Sequence, residues 1–190
     1  MRHRAGFVPL FACLLALAAC GSASNPSSAP TATTAPQPTA TNTPAASVTV
    51  YTSPTNTYQI SYPTGWQQQT ADGNPGKSAF TGPDNQTFEV SDNAGIAGSD
   101  PADLVNGYCQ AIQPGQAANP VQTTTVSLAG QTWTKGDCDE GTQSPTELVV
   151  EVVIYKGAVY QIDYASSTAN FQTDFSAYYS AMEQSFKFLT

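Results

Sequence analysis

The sequence predicts an α+β fold, an antiparallel β-sheet flanked by helices. Three observations carry this. Apolar and polar residues alternate with period two over several short runs, and tight-turn residues join those runs. Two stretches switch to helical spacing instead. Both interrupt a series of hairpins rather than alternating regularly with strands, which favours antiparallel pairing with helices laid on the sheet.

The chain opens with an export signal over residues 1–19. Arg2 and Arg4 form a short basic start, and Phe7 to Ala19 is largely apolar. That run is shorter than the roughly 18–20 apolar residues of a membrane span and fits a signal-peptide core. Leu17-Ala18-Ala19-Cys20 resembles a bacterial lipobox. The resemblance implies cleavage before Cys20 and diacylglyceryl modification of its thiol. Residues 21–46 then read as a tether, with seven alanines, six threonines, five prolines and four serines and no charged or aromatic residue. Such a segment buries too little apolar surface to offset its ordering entropy. Its reach is about 28 Å as a coil and about 80 Å as polyproline II.

From residue 47 to residue 190 the composition turns β-branched and aromatic, in a length that suits one core. Tyr58, Ile60 and Tyr62 alternate with Gln59 and Ser61, and Pro63-Thr64-Gly65 turns the chain before Trp66. Phe80 and Phe88 sit on runs joined by Gly82-Pro83-Asp84-Asn85. Ser99 or Asp100 caps a first helix with Pro101 in its opening turn, and Leu104, Tyr108 and Ile112 recur along it. Val126 and Leu128 end a strand that Ala129-Gly130 turns into another, bearing Trp133. In the run Leu148 to Tyr155, Leu148, Val150, Val152 and Ile154 share one face while Glu151 points the other way, partly toward solvent. Lys156-Gly157 makes a two-residue hairpin. The return strand places Ala158, Tyr160, Ile162 and Tyr164 inward and Gln161 and Asp163 outward. A second helix spans about 168–184, with Phe171, Phe175, Tyr178 and Met182 on one face. Phe186-Lys187-Phe188 closes the chain as a short strand.

Tyr51-Thr52-Ser53 followed by Tyr58-Gln59-Ile60-Ser61-Tyr62-Pro63-Thr64-Gly65-Trp66 resembles the opening of PsbP-like domains, including bacterial lipoproteins of that type. The ending, a helix and then Ser185-Phe186-Lys187-Phe188, is similar to theirs. The resemblance covers about 30 residues at the two ends and implies an α-β-α sandwich. It implies little about activity, because such domains serve in a photosystem, in nuclear transport and in bacterial lipoproteins. A shared fold does not carry function with it.

Charge narrows the function more sharply. His3, Arg2 and Arg4 all lie in the signal, so residues 47–190 hold four lysines against fourteen acids, a net charge of −10. Without arginine there are no bidentate phosphate contacts, and nucleic acid is a poor partner. Ser-His-Asp and Cys-His mechanisms need a histidine that the exported chain lacks. Cys13 leaves with the signal and Cys20 takes the lipid. Cys109 and Cys138 are then expected to pair in an oxidising compartment, closing a loop worth about 3.5 kcal/mol on the chain-entropy argument.

The remaining chemistry is carboxylate. Asp137, Asp139 and Glu140 surround Cys138, ahead of Gly141. They read either as an acidic loop beside a disulfide or as donors for Ca²⁺, although the EF-hand spacing is absent. A carboxylate-based hydrolase would need two of these acids about 5–10 Å apart across a cleft. Asp92, Asp100 and Asp103 read as a turn residue, a cap and a helix-dipole partner. Trp66, Trp133 and Tyr160 are the candidate ligand-binding aromatics, with core packing as the alternative. No organic cofactor is implied.

The expected protein is a non-enzymatic lipoprotein at the extracytoplasmic face of a bacterial membrane. Its domain would bind or scaffold another envelope protein; the alternative is a carrier or sensor of a small, partly apolar ligand held between sheet and helix. Cys20→Ser should abolish acylation and leave uncleaved precursor or soluble product. Mass spectrometry finding any mature N-terminus other than a diacylglyceryl cysteine at position 20 would refute the anchor.

Overall fold

The computed structural model describes residues 47–70, 73–93, 99–112, 120–139 and 145–189. Cys20, the signal, the tether and Glu140 lie outside the described residues. The chain order is β1 (Val48–Thr52), β2 (Tyr58–Pro63), β3 (Gln67–Thr70), β4 (Lys77–Thr81), β5 (Thr87–Asn93), α1 (Pro101–Ile112), β6 (Thr123–Leu128), β7 (Gln131–Asp137), β8 (Thr146–Tyr155) and β9 (Ala158–Ser167). A C-terminal helical stretch follows, made of α2 (Phe171–Asp174), a π-helical turn (Phe175–Tyr179) and α3 (Ser180–Ser185), and then β10 (Lys187–Phe188).

Seven strands form one antiparallel sheet in the order β3-β4-β5-β9-β8-β7-β6, and β1-β2-β10 form a second, smaller one. The hairpins are local products of the sequence. Ala129-Gly130 and Lys156-Gly157 all take positive φ, between 50° and 80°, the type I′ geometry that matches strand twist. The small sheet is an addition to the expected single sheet, and it shares a layer with the C-terminal helical stretch.

The β8–β9 hairpin, ten residues a side in continuous register from Thr146↔Ser167 to Tyr155↔Ala158, is buried on both faces. On one face Val149, Val153, Tyr160, Ile162 and Tyr164 join the larger core with Trp133, Phe171, Tyr179, Met182 and Phe186. On the other, Leu148, Val150, Val152 and Val159 join a smaller core with Val105 and Cys109 of α1. Two expectations are corrected here. Glu151 is 1 % exposed and Asp163 7 %, so neither faces solvent. Alternation fixes which residues share a face but not which faces are covered.

Helix α1 begins as read, with Asp100 Oδ1 accepting from the Ala102 N–H at 2.8 Å. Its buried side is Val105 and Cys109, while Leu104 and Tyr108 flank it and Ile112 is exposed. Two contacts choose this face. Cys109 forms a disulfide with Cys138 just past β7, with Cα atoms 5.0 Å apart. Gly136 of β7 leaves room for Val105, whose Cγ1 would lie 2.5 Å from any Cβ placed there. Asp92 lies within β5 rather than in a turn, and it accepts hydrogen bonds from Thr55 and Thr57 of the β1–β2 connection.

In the C-terminal stretch the buried positions are Phe171, Asp174, Tyr179 and Met182. Tyr178, expected inward, is only half-buried. The π turn inserts one residue and rotates Tyr179 into the core in its place. Among the described residues no helix is long and apolar enough to cross a membrane.

Gly136→Ala should force Val105 off its buried seat and cost about 1–3 kcal/mol. Urea denaturation of the two proteins measures this, and an unchanged midpoint would mean that α1 does not rest on Gly136.

Candidate functional site

Four lysines serve residues 47–190, and two of them, Lys77 and Lys135, are bonded to strand glutamates on opposite faces of the large sheet. Each anchors a cluster of acids and a tyrosine beneath a helical layer.

On the face under the C-terminal stretch, Lys135 of β7 stands opposite Glu151 of β8. Its Nζ lies 3.2 Å from Glu151 Oε1 and 2.6 Å from the Tyr164 hydroxyl. The same nitrogen sits 5.3 Å above the ring centroids of both Tyr164 and Phe175. The Tyr164 hydroxyl in turn donates to Glu151 Oε1 at 3.3 Å. Glu183 of α3 completes the group, with its carboxyl in hydrogen-bond reach of Tyr164 and Glu151. Burial first, and then the Glu151 carboxylate, pushes Glu183 up to about 7.

On the face under α1, Glu89 of β5 stands opposite Asp163 of β9. Lys77 Nζ is 2.5 Å from Glu89 Oε2. Gln161 Nε2 donates to Asp163 Oδ1 at 2.9 Å, and the Tyr108 hydroxyl of α1 reaches the same carboxyl. Burial, followed by the Glu89 carboxylate, pushes Asp163 up to about 7, against the opposing pull of Gln161, Lys77 and Tyr108. Paired carboxyls of this kind can hold a proton or a hydrogen-bond donor. Among the described residues no three His, Cys, Asp or Glu side chains converge to hold a metal ion.

The candidate aromatics are core side chains, and they are not gathered in one place. Trp66 meets Tyr178 and Tyr179 edge-on at 5.5 and 6.3 Å, and Gly82 beneath it makes the room. Trp133 and Tyr160 instead share Phe186 and Phe188 as neighbours. The Trp133 indole N–H is used internally, donating to the Leu128 carbonyl at 3.1 Å. Asp137 Oδ1 accepts from the Asp139 N–H at 3.0 Å, a local turn beside the disulfide. Burial and then these two acids raise Glu147 from its ordinary value.

Lys135, Glu151, Tyr164, Glu183, Lys77, Glu89, Tyr108 and Asp163 were not singled out by the sequence. One signal pointed to part of the set. Glu151 is a lone acid inside the most apolar run of the chain, Leu148 to Tyr155, where a charge must find a partner.

No known family model and no curated protein matches this chain. Solved structures do. The solution structure of the cyanobacterial PsbP protein CyanoP from Synechocystis sp. PCC 6803 aligns over 81 % of this chain and 99 % of its own, with 15 % identity and a TM-score of 0.56. A Bacteroides thetaiotaomicron protein covers 74 % of this chain and 48 % of its own at 12 % identity, TM-score 0.47. LpqN, involved in cell envelope biogenesis of Mycobacterium tuberculosis, covers 78 % and 87 % at 17 % identity, TM-score 0.42. The chain has a PsbP-like α+β fold, and the match to CyanoP carries that statement.

Asp163 holds its proton more tightly in the folded state than in the unfolded chain, where its value returns to about 3.8. The stability this proton contributes is fully present below about pH 3.8 and lost as the pH rises to about 7. Between pH 5 and pH 8 the melting temperature should therefore fall less in Asp163→Asn than in the native protein. Equal falls would mean that Asp163 titrates as an ordinary carboxylate.

Proposed function

We propose that this chain is a lipid-anchored, extracytoplasmic, non-catalytic domain that binds another protein of the cell envelope. In this reading residues 1–19 are the signal peptide, Cys20 carries the anchor and residues 20–46 are the tether. The partner meets β1 and the outer face of the small sheet. The observation that favours this surface is the exposure of Val48 and Val50, 59 % each, on a strand at the sheet's edge. Residues 48–52 carry no charge and no proline, the usual guards of an open edge. Tyr51 points inward, its hydroxyl 2.7 Å from Ser78 Oγ, so the strand is fixed while its valines face out. Position adds to the case, since β1 directly follows the tether. The alternative, capture of a small apolar ligand between sheet and helix, draws on the convergence of Trp133 and Tyr160 on Phe186 and Phe188.

A photo-crosslinking residue at position 48 or 50, in the full-length protein in its native membrane, should give a discrete protein adduct. Val48→Lys combined with a crosslinker at position 50 should remove most of that adduct without lowering the melting temperature. Adducts to lipid alone, or an adduct indifferent to the lysine, would overturn the proposal.

A further inference from the structure

The helix-face cluster holds two carboxyls and one ammonium out of water. Glu151 is 1 % exposed, and its Oε2 has no hydrogen-bond partner; neither does Glu183 Oε1, also buried. The two carboxyls nevertheless lie within hydrogen-bond reach of each other. Two ionised carboxylates are both acceptors and cannot bond, whereas one proton between them gives a donor and an acceptor. Charge counting points the same way. With Lys135 charged, two carboxylates leave one uncompensated negative charge in a buried site, and one proton removes it.

The groups facing this pair come from every layer around it. Lys135 arrives from β7, the Tyr164 hydroxyl from β9 and the Phe175 ring from the π turn, with no further charged side chain among the described residues in contact. Glu151 belongs to the most deeply buried strand of the sheet. Glu183 belongs to α3, which is joined to α2 only through the π turn.

We propose that Glu151 and Glu183 form a single-proton binding site that fastens the C-terminal helical stretch to the large sheet. With the proton bound, a carboxyl–carboxylate hydrogen bond spans the two layers. When the proton leaves, two like charges face each other across the same gap and push α3 outward. The elevated affinity of Glu183 for its proton, at about 7, sets this change near neutral pH.

Glu183→Gln is the informative variant, because its amide donates to Glu151 as the protonated acid does and does not titrate. Hydrogen exchange of the α3 amides should match native protein at pH 5. At pH 8 exchange should be at least about tenfold faster in the native protein than in Glu183→Gln. Carboxyl-carbon NMR of the native protein gives a second readout independent of any variant. One of the two glutamates should titrate well above the ordinary carboxylate range, and its partner should respond over the same interval. Equal exchange in both proteins at both pH values, or ordinary titration of both glutamates, would overturn the proposal.

Discussion

The ten-residue pairing of β8 with β9 is the constraint on which the other layers depend. Both strands lie in the middle of the large sheet and are apolar on both sides, so each face needs a cover. Helix α1 closes one face and the small sheet with the C-terminal stretch closes the other. The covers are attached differently. On the α1 side the contact is made close by Gly136 and covalent by Cys109–Cys138. On the other side it is held by aromatic packing, with Tyr164 stacked on Phe88 and Phe171 at about 6 Å. Such ring pairs add roughly 0.5–1.5 kcal/mol each beyond the area they bury.

Double burial also explains where the charges went. An acid on a central strand of this sheet has no solvent to face. Glu151 and Asp163 are therefore held by a lysine, a tyrosine or an amide, and each has a second acid for a neighbour. Replacing either strand acid by an apolar residue of similar size is the cheaper solution for stability alone. Retaining them makes the two faces responsive to protons, which a purely apolar interior is not.

Much of the fold was legible because it is set locally. The hairpins at Ala129-Gly130 and Lys156-Gly157 follow from residues that accept positive φ, and the start of α1 follows from Asp100 and Pro101. Face assignments were less legible. Leu104, Tyr108 and Ile112 recur every four residues, and so do Val105 and Cys109. Spacing alone cannot choose between these neighbouring stripes. The choice was made by Gly136 and Cys138, which are distant in sequence. The acid clusters were hidden for the same reason: Lys135, Glu151, Tyr164 and Glu183 meet only after three strands and a helix have been laid together.

The π turn is where these two kinds of information conflict. A regular α-helix from Phe171 would carry Tyr178 inward, as the spacing suggests, and Tyr179 away from the sheet. The packing of the larger core requires the reverse. Tyr179 stacks 5.0 Å from Tyr164, and its hydroxyl donates to the Ala165 carbonyl of β9 at 2.6 Å. One inserted residue satisfies this without disturbing Phe171 and Asp174 before it, where Asp174 is held by Gln86 Nε2 at 3.2 Å. The same insertion sets the rotation of everything after it, so Met182 enters the core and Glu183 comes to rest on Glu151. A helix without the π turn would present a different residue to the strand acid. The irregular turn and the buried carboxyl pair are thus consequences of one register choice.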